Sequence, residues 1–152
     1  SNILNVHASG QEVLSISYDL NNAYPEILYS KARSGWKYPH LWMLVGMYNP
    51  SDINDGVVTY HKPEAQNVDE AKIFNLMVEY FITKKPKVVI VSNGRTKTEK
   101  LGKYQFDFIK YYSQSPEFAK SFSEYRKVRH FKGKDVYALD PPVVVTNMSN
   151  KR

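Results

Sequence analysis

The chain has no cysteine. Disulfide bridges and thiolate metal centres are therefore impossible, and the absence fits a reducing, intracellular setting, nuclear or cytoplasmic. Long apolar runs are missing too. The longest, Leu41 to Met47, falls far short of the ~18 residues a membrane span requires, so no membrane partner is expected. There is no Gly-x-x-x-x-Gly-Lys-Ser/Thr loop and no Gly-x-Gly-x-x-Gly turn, which removes two glycine-built phosphate cradles. The histidines, His7, His40, His61 and His130, form no pair at i, i+3 or i+4, a spacing that offers no histidine-based metal site. Ser92 follows an apolar run but lacks the Gly-x-Ser-x-Gly elbow of a nucleophile, and reads as a turn serine. No signal-peptide pattern opens the sequence.

What is present is a globular composition. A length of 152 residues suits one domain, expected over residues 1–148, with 149–152 a frayed basic tail. Tyrosine and phenylalanine are plentiful, at 12 and 7, enough aromatic area to build a core. The net charge of +6 is unevenly placed. Between Lys84 and Lys134 fourteen Lys/Arg face four Asp/Glu, an excess of ten, whereas the remainder is net acidic by four. A basic third of this kind points to a polyanionic partner, chiefly DNA or RNA. Its candidate contacts are Arg95, Lys97, Lys100, Lys103, Lys110, Arg126, Lys127, Arg129 and Lys132, interleaved with tyrosines. Among these Tyr111, Tyr112 and Tyr125 are expected to be exposed and able to stack on bases.

The most legible stretch is Asn67 to Gly94. Asn67 caps a helix, with Glu70 three residues on completing a capping-box-like pair. Phe74, Met77, Val78 and Phe81 fall at helical spacing, and Pro86 ends the helix. Val88 to Val91 then reads as a strand buried on both faces. Before this unit the pattern predicts short strands over Glu12–Tyr18, Pro25–Ala32, Leu41–Tyr48 and Val57–His61, an antiparallel beginning. After it come a mobile basic loop over Arg95–Lys103, helices over Tyr104–Tyr112 and Ser115–Val128, and a strand over Asp135–Leu139 that Pro141-Pro142 terminates. The fold class is thus α/β: a mixed sheet with early antiparallel strands, followed by helix–strand–helix.

Asp19-Leu20-Asn21 followed by PEILYS resembles the first exonuclease motif of family B DNA polymerases, where a strand ends in Asp-x-Glu. ITKKPKVVIVSNG with FDFIKYY after it resembles that family's second motif, and FKGKDVYAL the strand bearing its third acidic residue. Residues Phe81 to Asn93 are also similar to the RNase H-like domain of Tex-type transcription elongation factors, commonly non-catalytic. The resemblance implies an RNase H-like three-layer arrangement and a nucleic-acid-binding role in transcription or replication. Asp19, Asp107 and Asp135 would then be the catalytic carboxylates, with Asp140 the alternative third. Mg²⁺ would be a cofactor only if that set is intact, and otherwise no cofactor is expected. Asn21 stands where the first motif has Glu, and a long basic insert separates Asn93 from Phe106-Asp107, so the expectation is a degenerate or weakly active nuclease. The alternative is a non-catalytic protein-interaction module with an exposed patch around Trp36, Tyr38 and Trp42.

Overall fold

A computed structural model describes residues 12–18, 36, 41–93 and 96–139. In chain order its elements are β1 (Val13–Ile16), α1 (Trp42–Gly46), β2 (Ile53–Asn54), β3 (Val57–Val58), α2 (Val68–Lys84), β4 (Val88–Ser92), β5 (Thr96–Thr98), β6 (Gly102–Tyr104), α3 (Phe108–Tyr112), α4 (Pro116–Phe122), β7 (Tyr125–Phe131) and β8 (Lys134–Leu139). The chain is mixed α/β: a four-stranded sheet in the order β1-β4-β8-β7, two small hairpins, and several helices.

The helix–strand unit forms the centre. The Asn67 side chain accepts the Glu70 N–H at 2.8 Å, Lys85 ends α2 in a left-handed conformation, and Pro86 follows. Ile73, Phe74, Met77, Val78 and Phe81 make the buried face of α2. β1 and β4 run parallel, Val13 beside Val88 and Ile16 beside Val91. Parallel neighbours need a crossover, and α2 lies in that connection. β8 pairs antiparallel with β4, and β7 antiparallel with β8, so that among the described strands β7 lies at the edge.

Strand alternation divides the sheet residues between two faces. Leu14, Ile16, Val89 and Val91 join an aromatic core with Phe74, Phe81, Tyr112, Phe118 and Tyr125. Their alternates Val13, Val88, Ile90, Val136 and Ala138 are buried on the opposite face. Both faces are therefore dry, as the unbroken β-branched run of β4 demands.

Several expectations need correction. The stretch Leu41–Tyr48 holds the short helix α1, not a strand: Leu41, Leu44, Val45 and Tyr48 are buried at helical spacing, while Trp42 and Gly46 face out. The strand expected over Val57–His61 shrinks to β3. Residues 96–103 are not an irregular loop, because β5 and β6 pair there. The helix expected to reach Val128 stops at Phe122, and Tyr125 begins a strand. Phe122 and Tyr125 still stack, at 5.7 Å and 10°. Their spacing marks a true contact, made by a turn of chain rather than a turn of helix. Early in the chain β2 and β3 pair antiparallel, and among the described strands of the main sheet the antiparallel pairs are β4–β8 and β7–β8. The expected hairpin partner Pro25–Ala32 lies outside the described residues.

Candidate functional site

Edge strand β7 carries Arg126, Lys127, Arg129 and His130, all exposed, and turns into β8 through Lys132-Gly133. Both turn residues have positive φ, 48° and 72°, the backbone of a type I′ hairpin turn. Simple alternation would put Lys127 and Arg129 on one face and Arg126 and His130 on the other. A bulge between Lys127 and Arg129 resets this: Lys127 lies opposite Tyr137, Arg129 opposite Val136 and His130 opposite Asp135. Arg126 and Arg129 therefore share one face of the edge, and Lys127 and His130 share the other.

The second pair meets at Asp135, which is buried. His130 donates from Nδ1 to Oδ1 at 2.6 Å, and Lys127 Nζ lies 3.2 Å from Oδ2. Asn93, just beyond β4, donates its side-chain amide to Oδ2. Lys127 also lies over the Tyr137 ring, 5.8 Å from its centroid. The hydrogen bond to Asp135 is the main cause of the raised Lys127 pKa, so this ammonium stays charged throughout the neutral range. The node sits beside the carboxyl end of β4, with Asp135 opposite Val91. Asn93 ties the β5–β6 hairpin to the same place. Its backbone N–H donates to the Gly133 carbonyl at 2.9 Å, and its own carbonyl accepts from Gln105.

The structure distributes the expected basic residues unequally. Arg126, Lys127, Arg129 and Lys132 lie on one hairpin, and Lys97 and Lys103 are exposed on β5 and β6. Lys100 reaches away to the Gly46 carbonyl at 3.2 Å. Lys110 is exposed on α3. Arg95 and Asp19 lie outside the described residues, as does Asp140. Asp107 caps α3, accepting the Lys110 N–H at 3.0 Å. Asp107 and Asp135 both act on Tyr137, whose phenol is pushed up first by burial and then by these two charges, against the pull of Lys127. Among the described residues no group of three or more His, Cys, Asp or Glu side chains is placed to hold a metal ion. The tyrosines expected to be exposed, Tyr111, Tyr112 and Tyr125, are all buried. Each lies on the apolar side of its element, packed against Phe74, Phe81 or Phe106.

A second polar node has no counterpart among the sequence expectations. Glu70, 0% exposed, does not reach back to complete a capping box with Asn67. Its carboxylate turns inward and accepts from Tyr48 at 3.2 Å, Tyr111 at 3.0 Å and His61 Nδ1 at 2.7 Å. His61 Nε2 lies 3.4 Å from Asp52 Oδ2, and its ring stacks on Tyr48 at 4.1 Å. Burial alone would lower the His61 pKa, but Glu70 and then Asp52 outweigh it, and the pKa is raised. No sequence spacing connects Asp52, His61, Glu70 and Tyr111. The only signal is a glutamate at the third helical position, which reads equally well as a capping residue.

Compared with protein-family models, with curated proteins and with solved structures, the chain gives no match in any of the three.

Proposed function

We propose that this protein binds nucleic acid through the basic edge formed by β7 and the Lys132-Gly133 turn. The observation that carries the reading is the composition of that edge. Arg126, Lys127, Arg129 and Lys132 are exposed together, while the single carboxylate of the hairpin, Asp135, is buried and engaged by Lys127 and His130. An exposed β edge would invite pairing with another strand, and cations discourage that, so part of this charge has a protective explanation. It does not explain why the bulge gathers Lys127 and His130 over a buried aspartate, or why the basic β5–β6 hairpin is anchored to the same asparagine.

The RNase H-like arrangement and a degenerate or weak metal-dependent nuclease remain the catalytic extension of this proposal. Its support is the placement of Asp135 opposite Val91, at the carboxyl end of β4. Both carboxylates are already engaged, Asp107 by a helix cap and Asp135 by three donors. Binding is accordingly the part of the proposal that leads. The protein-interaction alternative has less behind it. Trp36 is buried against Tyr80, with ring centroids 5.0 Å apart, and only Trp42 of the two tryptophans is exposed.

The test is charge reversal at Arg126, Arg129 and Lys132 together, sparing Lys127 because a carboxylate there would face Asp135. Anisotropy with labelled oligonucleotides should show affinity falling by about a hundredfold at low salt. The salt dependence should become shallower by about three counterions, close to one for each phosphate no longer neutralised. Equal binding by the reversed variant, with an unchanged circular dichroism spectrum, would remove the edge from the interface.

A further inference from the structure

We infer that the basic edge selects double-stranded over single-stranded nucleic acid, an inference that rests on the binding reading above and names its substrate class. Sequence-independent grip on a single strand comes largely from bases stacking on exposed aromatic rings beside a basic track. Among the described side chains this edge has no such platform. Tyr104, Tyr111, Tyr112 and Tyr125, the tyrosines that the sequence intersperses with its cations, are all buried. Tyr137 is half-buried, with Lys127 above it and Phe122 packed edge-on at 4.9 Å. The His130 ring is exposed and hydrogen-bonded through Nδ1 to Asp135, a single imidazole rather than a run of aromatic rings.

What the edge offers is a set of cations on a hydrogen-bonded strand. Because of the bulge, Arg126 and Arg129 stand on one side of the edge and Lys127 and His130 on the other. Asp135 holds the latter two in place. A row of phosphates running along the strand would be met from both sides by side chains whose spacing the ladder fixes. A duplex presents phosphates in a stiff, closely charged array, and each contact there releases more counterion than on a single strand, about 0.9 against about 0.7. Ordered cations without rings match that array better than a flexible strand. The hairpin cannot enter a groove as a free ribbon, since β8 is paired with β4 along Val88 to Ser92. Contacts should therefore go to the backbone, and DNA and RNA duplexes should both bind, with little dependence on sequence.

The rival platform is Trp42, 54% exposed on α1, whose Gly46 carbonyl accepts from Lys100. The two routes are separable. Anisotropy with a labelled mixed-sequence duplex of about twenty base pairs and with its single strand, over a salt series, should give duplex binding at least about tenfold tighter at ~0.1 M salt. The duplex salt slope should be about −3 to −4, for four phosphates. Tryptophan fluorescence should be unquenched by the single strand, and Trp42→Ala should leave duplex affinity unchanged. Single-strand affinity equal to or above that of the duplex, or tryptophan quenching lost in Trp42→Ala, would overturn the inference while leaving nucleic-acid binding in place. Absence of binding to either form at low salt would overturn the binding reading itself, and this inference with it.

Discussion

Two histidines in this protein donate to a carboxylate at nearly the same distance, 2.7 Å for His61 to Glu70 and 2.6 Å for His130 to Asp135. Their surroundings differ. Glu70 is enclosed by phenols: Tyr48 and Tyr111 donate to it, and His61 is flanked on its other nitrogen by Asp52. Burial pushes the Tyr111 phenol far above its usual range, with the Glu70 charge adding to the effect, so Tyr111 remains a donor at any ordinary pH. Asp135 is buried as well, but its partners Lys127 and His130 are surface residues of an edge strand. The first node joins the residues that follow α1, the chain before α2, α2 itself and α3. The second joins only neighbouring strands and the residue after β4. The same chemical pair thus closes the interior in one region and arranges a surface in the other. A side chain's role follows from what its partner must otherwise face: protein interior for His61, water for His130.

The comparison breaks most sharply at Glu70. Its replacement by alanine leaves a half-buried imidazole N–H and two phenols without their acceptor. Removing one partner of a buried pair costs about 3–5 kcal/mol. Glu70→Ala should lower stability by that order in urea unfolding; a change under about 1 kcal/mol would mean the inner node is not a clamp.

The next effect is in the pH dependence. The folded-state pKa of His61 is raised above its unfolded value of about 6.5, so the folded chain binds the proton more tightly. The stabilisation is complete below that unfolded value and is lost as pH rises through the folded one. Neutral imidazole has a single N–H and can serve only one of the two carboxylates. Unfolding midpoints measured from about pH 5.5 to about pH 8.5 should fall for the native chain, and His61→Gln should flatten that fall. Parallel curves for the two proteins would assign the dependence to another group.

The smallest effect belongs to His130→Gln. With His130 61% exposed, the contact is a surface one worth about 0–1 kcal/mol, and urea unfolding should shift by no more than that. A destabilisation comparable to that of Glu70→Ala would erase the contrast between the two nodes.

Much of the fold is readable where one local rule speaks alone. Asn67, the apolar face of α2, Pro86 and the run Val88–Val91 each carry a strong signal, and the structure agrees with all of them. Misreadings arise where two rules give the same letters. Leu41–Tyr48 hides a helical period, because its outward positions, Trp42 and Gly46, are as non-polar as its inward ones. Phe118, Phe122 and Tyr125 have helical spacing and do touch, yet the chain changes from helix to strand among them. The basic surface is visible as composition, but not which of its tyrosines are exposed, since a Lys-Tyr-Tyr sequence says nothing about which side of a helix meets the core.

What the sequence determined by itself is local and additive: the absence of thiol chemistry, the central helix and strand with their cap and stop, and the concentration of positive charge between Lys84 and Lys134. These depend on residues a few positions apart, within reach of one turn of helix or one strand. The tertiary structure decided the rest. It turned Glu70 inward to meet His61, Tyr48 and Tyr111, and used a single extra residue in β7 to bring Lys127 and His130 to one face above Asp135. Burial and register are properties of the whole sheet and its covering helices, because whether a polar atom needs a partner depends on what removes water from it.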